Sequence, residues 1–181
     1  MKKQHIRAIT ETALCTALIA VSAQISILVF ASNIPYTLQT FALFLIAAVF
    51  GWKKSTIATV IYLALAAIGL PIMAGFKGGI AAIMGPTGGY ALGFLFIALL
   101  TGIAAEKGKG NKWILLAGMV AGLLVCYAFG TVWFKYIYGT DKGLGAVLML
   151  CVVPYLPVDA VKIVCAVLLA GRVKKALYKE N

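Results

Sequence analysis

Long apolar stretches alternate with short polar ones along the whole chain. Apolar runs occupy residues 9–30, 38–50, 56–70, 90–105 and 113–134, and a sixth lies within residues 144–171, where Pro154 and Pro157 interrupt it. A helix that crosses the hydrocarbon core of a bilayer needs ~20 mostly apolar residues. The third run is short, and so is the second unless it reaches back toward Tyr36. No linker, low-complexity tract or internal repeat divides the chain. The pattern predicts an all-α integral membrane protein, a six-transmembrane-helix bundle forming a single domain over residues 1–181.

Composition and charge sharpen that picture. Hydrophobic residues make up 63% and charged residues 12% of the chain, and a soluble domain needs a more polar surface than this. The net charge of +11 would point to nucleic acid in a soluble protein, but here the basic residues are gathered between apolar runs. With six alternating spans, one side holds twelve of the sixteen basic residues: Lys2, Lys3, Arg7, Lys53, Lys54, Lys107, Lys109, Lys112, Arg172, Lys174, Lys175 and Lys179. The other side holds only Lys77, Lys135 and Lys142. The positive-inside rule then places both termini in the cytoplasm. The competing reading of the first run is a signal peptide cut after Ala31. Its apolar stretch exceeds the ~7–15 residues of such signals, and cleavage would spoil the charge alternation.

Enzyme chemistry finds little support. The chain has no G-x-x-x-x-G-K-[ST] phosphate loop, and its lone histidine, His5, reads as a solvated residue of the basic tail. Cys15, Cys126, Cys151 and Cys165 lie in apolar runs without CxxC spacing, so they read as small hydrophobes rather than a disulfide framework or zinc site. No metal and no cofactor is expected.

Four features stand out from the apolar background. Asp159 and Lys162 are ionisable residues deep in the last run, spaced i, i+3 on one helix face. Charges at such depth are costly and usually face a cavity or a partner; the alternative is a structural pair that only neutralises itself. Pro157 suits the first position of a helix, so a helix starting there carries Asp159 in its first turn, where the dipole favours a carboxylate. Next, glycines interrupt the chain from Gly69 to Gly79 and from Gly85 to Tyr90. Irregular backbone at membrane depth is tolerated where it is buried in protein or lines a cavity; a plain exterior turn is the other reading. The polar stretch Asn33–Thr40 is either a simple loop or a lid. Finally, Ala13 and Ala17, followed by Ala20 and Gln24, form a small-residue face, as do Gly89 with Gly93 and Gly118 with Gly122. Such faces permit close helix packing, most often within one chain; the face on the first span could instead dock another membrane subunit.

Taken together these stretches resemble the BioY family, the biotin-specific S components of energy-coupling-factor (ECF) transporters. The resemblance covers essentially the whole chain. It rests on Pro35-Tyr-Thr37-Leu-Gln39-Thr40, on Gly69-Leu-Pro71, on Gly78-Gly79, on Gly85-Pro-Thr87-Gly-Gly-Tyr90, and on Pro157 with Asp159 and Lys162. It implies a six-helix S component of a prokaryotic plasma membrane that captures biotin near the outer surface. Its implied partners are a transmembrane coupling subunit, contacted here through Ala13 and Ala17, and two cytoplasmic ATPase subunits. The missing phosphate loop fits that division of labour.

The ligand implied by the resemblance can be set against the residues. Biotin's ureido ring offers two N–H donors and one carbonyl acceptor. An ionised Asp159 only accepts, and Lys162 only donates, so the first suits the N–H groups and the second the carbonyl. The sulfur-containing ring needs an apolar wall, which Tyr90, Phe76 or Met73 supplies. Lys77 is the nearest cation for the valerate carboxylate. Gly78, Gly79, Gly85 and Thr87 belong to the glycine segments, and Thr37 and Gln39 close from the lid. Three other functions remain open at this point: an S component for another vitamin, a stand-alone proton-coupled biotin carrier, and a membrane protein that transports nothing.

Overall fold

The computed structural model describes residues 2–27, 35–137, 141 and 143–178. Phe30 and Ala31, the start of the expected lid at Asn33, and two of the residues used to assign sides, Lys142 and Lys179, lie outside the described residues.

The described chain is helical almost throughout. In order it forms α1 (Lys2–Gln24), a two-residue strand β1 (Ser26–Ile27) paired antiparallel with β2 (Tyr36–Thr37), α2 (Gln39–Ala67), a single turn α3 (Ile80–Ile83), α4 (Gly88–Lys107), α5 (Lys112–Val132), α6 (Leu144–Cys151) and α7 (Leu156–Tyr178). A π-helical turn, Trp133–Ile137, extends α5, and a 3-10 turn, Val153–Tyr155, leads into α7. Five of these segments are long and apolar enough to cross a membrane.

The expected second and third spans, 38–50 and 56–70, both fall in α2, which ends at Ala67, three residues short of the expected end. At Gly51 the backbone leaves the helical region (φ 78, ψ 175), and the helix folds back on itself. The proof is a hydrogen bond from Gln39 Nε2 to Tyr62 Oη, 2.9 Å long; in a straight helix those residues would stand ~35 Å apart. The reversal needs glycine, because a positive φ is costly for a residue with a Cβ. Lys53 and Lys54 therefore sit in the first turn beyond the corner rather than in a separate loop. The expected sixth span is likewise divided. Pro154 falls in the 3-10 turn and Pro157 at the second residue of α7, so the long helix starts at Leu156 with Asp159 in its first turn.

Between membrane helices, burying one more apolar side chain gains little over leaving it in lipid, so close packing carries the association. Glycines supply that closeness between α4 and α5. A Cβ added at Gly89 would lie 2.1 Å from Trp133 Cβ, one at Gly118 2.2 Å from Ala104 Cβ, and one at Gly130 2.2 Å from the Tyr90 ring. The small residues of α4 and α5 thus pack within the chain. The face on α1 divides: Ala20 is partly buried against the core and Gln24 turns inward, while Ala13 and Ala17 face outward. Cys15, Cys126 and Cys151 are buried and Cys165 is exposed. Ile9, Val21, Leu124, Val161 and Leu168 are exposed around the bundle, as expected where lipid replaces water.

The two ends of the bundle differ. At one end, Lys54 beside the Gly51 corner pairs with Glu11 of α1, and Glu106 at the end of α4 accepts from Trp52 N at 3.3 Å. Lys174 near the end of α7 borders the same corner. Gln39, which starts the first limb of α2, and Tyr62, toward the end of the second, lie at the opposite end.

Candidate binding site

At that opposite end the helices enclose a cavity of about 830 Å3, within the range of small-molecule sites. Apolar side chains make most of its wall, among them Met73, Ala91, Phe94 and Leu123. Its polar groups are concentrated in two places.

The first is built on Asp159. Because α7 starts at Leu156, the carboxylate projects from the first turn, and it is 3% exposed. Its Oδ1 accepts from Lys162 Nζ at 2.7 Å and from Thr40 Oγ1 at 2.9 Å. Its Oδ2 accepts from the Tyr127 hydroxyl of α5. Lys162 also donates to Thr37 O at 2.8 Å and to Thr40 Oγ1 at 3.0 Å, so all three of its N–H groups are engaged. A buried ion pair of this kind holds only when further hydrogen bonds satisfy both partners, and here three helices and one strand supply them.

The second place is Gln39. It donates to Tyr62 Oη, accepts from Thr37 Oγ1 at 3.4 Å, and Tyr62 in turn donates to Ile72 O at 3.4 Å.

Two non-helical segments cover the cavity. Residues 35–38 are held by the β1–β2 pairing, by the Lys162–Thr37 bond, and by Tyr36, whose hydroxyl donates to Pro154 O at 2.7 Å while its ring packs 4.3 Å from Tyr155. The glycine segment 69–79 forms a small hairpin, with Met73 N donating to Lys77 O at 2.9 Å. Gln24 of α1 pins it, donating to Ile72 O and Met73 O at 3.1 Å each and accepting from Phe76 N at 3.1 Å. Gly78 allows two backbones to touch, since a Cβ there would stand 2.2 Å from Leu70 O.

Most of the residues singled out from the sequence meet at this cavity. Thr37, Gln39, Met73, Phe76, Lys77, Gly78, Gly85, Thr87, Tyr90, Asp159 and Lys162 all line this cavity. Gly79 does not: it sits at the N-terminus of α3 and donates its N–H to Ala66 O at 2.7 Å, a backbone role. Ala13 and Ala17 lie on the outer face of α1, away from the cavity. Lys77 is exposed and, among the described residues, forms no ion pair. Sequence reasoning missed Tyr127, Tyr62 and Tyr155 as wall residues and Thr40 as the bridge between Asp159 and Lys162. A usable signal existed for the tyrosines, since a phenol placed in an apolar helix needs a hydrogen-bond partner when buried.

A helical bundle with five segments long and apolar enough to cross a membrane, enclosing a large, partly polar cavity, has the architecture of a multi-pass membrane protein. The chain belongs to the BioY family, whose family model matches residues 1–179. It is 41% identical over 171 residues to the "Biotin transporter BioY" of Thermotoga maritima, covering 94% of this chain and 97% of the relative. It is 39% identical over 162 residues to the "Probable biotin transporter BioY" of Pyrococcus horikoshii, covering 90% and 93% respectively. A solved structure described as the S-component for biotin from an ECF-type ABC transporter superposes with a TM-score of 0.87 at 28% identity, covering 97% of this chain and 94% of that one.

Proposed function

We propose that this chain is the biotin-capturing subunit of a vitamin uptake transporter in the cell membrane. It takes biotin from outside into the cavity and delivers it inward with a coupling membrane subunit and two ATPase subunits. The observation that carries this reading is the pairing of an acceptor-only carboxylate, Asp159, with an ammonium donor, Lys162, on the wall of an otherwise apolar cavity. A cyclic urea presents the complementary set of donors and acceptor, fused to an apolar sulfur ring that suits Met73, Phe94 and Tyr90. The second polar group at Gln39, and Lys77 at the exposed rim, provide hydrogen bonds and a cation for the valerate chain. The relatives' names point the same way.

Orientation follows from charge. The two limbs of α2, with α1, α4, α5 and α7, account for six spans with both termini cytoplasmic. The basic residues around the Gly51 corner then face inward and the cavity opens outward. Ala13 and Ala17 present a small-residue face on the outside of α1, which suits docking of the coupling subunit.

The test separates capture from delivery. Ala13→Trp and Ala17→Trp are expected to leave equilibrium biotin binding by the purified chain unchanged. They are also expected to reduce labelled-biotin uptake to background in cells carrying the coupling subunit and ATPases. Undiminished uptake by both variants would remove the docking role. Uptake by the unaltered chain in cells lacking the ATPase module would favour the stand-alone carrier instead.

A further inference from the structure

Asp159 accepts three hydrogen bonds from the protein, and their distribution is uneven. Oδ1 receives both Lys162 and Thr40, whereas Oδ2 receives Tyr127 alone. An ionised carboxylate has about four acceptor sites, two on each oxygen. One site therefore remains, on the same oxygen that Tyr127 holds. Tyr127 comes from α5 and holds the oxygen that Lys162 does not, and both Tyr127 and Asp159 line the cavity.

We infer that Tyr127 is a positioning residue for ligand recognition: it fixes the plane of the Asp159 carboxylate so that the single free acceptor site on Oδ2 meets one N–H of the ligand's urea ring. The inference rests on the proposed function, in that it takes Asp159 as the acceptor for that ring. The physical reason is the freedom of the terminal carboxylate torsion, which is broad and roughly two-fold rather than staggered. With Oδ1 tied by Lys162 and Thr40 and Oδ2 by Tyr127, both oxygens are held against rotation. Without the phenol, Oδ2 has no partner among the described residues, and the carboxylate can turn its free acceptor site away from the ligand. The same geometry sets specificity. A ligand that presents an acceptor at this point, rather than an N–H, meets a carboxylate that cannot rotate to make room for it.

The test is a double-mutant cycle on the purified full chain, with biotin as titrant and monodispersity and thermal unfolding in detergent as fold controls. Y127F keeps the ring and removes only the hydroxyl. It is expected to weaken biotin binding about tenfold, the usual scale of a hydrogen bond to a charged group. In a D159N background the same change is expected to have no further effect, because Tyr127 acts through Asp159. Equal losses in both backgrounds would make Tyr127 a packing residue and overturn the inference. Wild-type affinity in Y127F alongside a large loss in D159N would overturn it while leaving the proposed function standing. Unimpaired biotin binding by D159N would overturn the inference by removing Asp159 as the urea acceptor, and would place the ligand elsewhere in the cavity. Where D159N binds too weakly to titrate, infrared spectroscopy decides: the carboxylate stretch assigned to Asp159 by its disappearance in D159N shifts in Y127F if the phenol positions it, and an unshifted band overturns the inference.

Discussion

Asp159→Asn is expected to weaken biotin binding by at least thirtyfold and up to several-thousandfold. Removing one partner of a buried, hydrogen-bonded charge pair costs about 2–5 kcal/mol of binding, and each 1.4 kcal/mol is a factor of ten. Two effects act together. The amide replaces one acceptor oxygen with a donor nitrogen, so one of the groups that now donates to Asp159 (Lys162 with Thr40, or Tyr127) faces another donor. In addition, Lys162 loses its counter-charge while staying largely buried, its side chain 11% exposed. The second effect also lowers stability, by about 3–5 kcal/mol on the scale of broken buried pairs, so affinity must be measured on the folded fraction. Calorimetric titration after gel filtration checks both. Affinity within threefold of the unaltered chain would place the ligand elsewhere in the cavity.

The second large effect is expected at Gly88. A Cβ there would lie 1.5 Å from the carbonyl oxygen of Ile83. That neighbour is backbone, so no rotamer change relieves the contact, and α3 must move away from the start of α4. Overpacking costs about 1–3 kcal/mol even where side chains can give, and this site belongs at the upper end. For a chain of this length, about 3 kcal/mol corresponds to a fall in melting temperature on the order of 5–10 °C. Because Ala82, Gly85 and Thr87 form the adjoining cavity wall, Gly88→Ala is also expected to reduce biotin binding. Gly145→Ala is the control: it lies in α6 with nothing within 4 Å of the added atom, and a neutral or slightly stabilising change is expected. Equal melting temperatures for the two variants would contradict the packing described for α3 and α4.

Much of the fold was legible because lipid imposes a simple rule: backbone must satisfy itself, so apolar runs become helices. Pro157 marked the start of α7 for the same local reason it marks helix starts generally. The first glycine segment, 69–79, is non-helical as read, whereas the second is so only from Gly85 to Thr87, because Gly88, Gly89 and Tyr90 already form the first turn of α4. The corner at Gly51 was not legible. A single glycine in an apolar run does not announce a positive φ, and the two lysines after it suggested a loop, whereas the chain reverses at one residue and continues as helix. The candidate site was legible where a residue carries charge, since Asp159 and Lys162 stand out against an apolar background. Thr40 and Tyr127 do not stand out, because they are neutral and belong to other helices. Their meeting with Asp159 is decided by how α2, α5 and α7 pack, which no local pattern encodes. Gly79 looked like its neighbour Gly78, but Gly78 lines the cavity and Gly79 ends in a backbone bond to Ala66.

The proposed function requires this chain alone to hold a preformed biotin site. It is tested most directly by equilibrium binding of biotin to the purified, detergent-solubilised chain without any partner, with thiamine and riboflavin as controls. Saturable, tight binding of biotin and none of the controls is the predicted result. Binding of a control in place of biotin, or of none of the three, would contradict it.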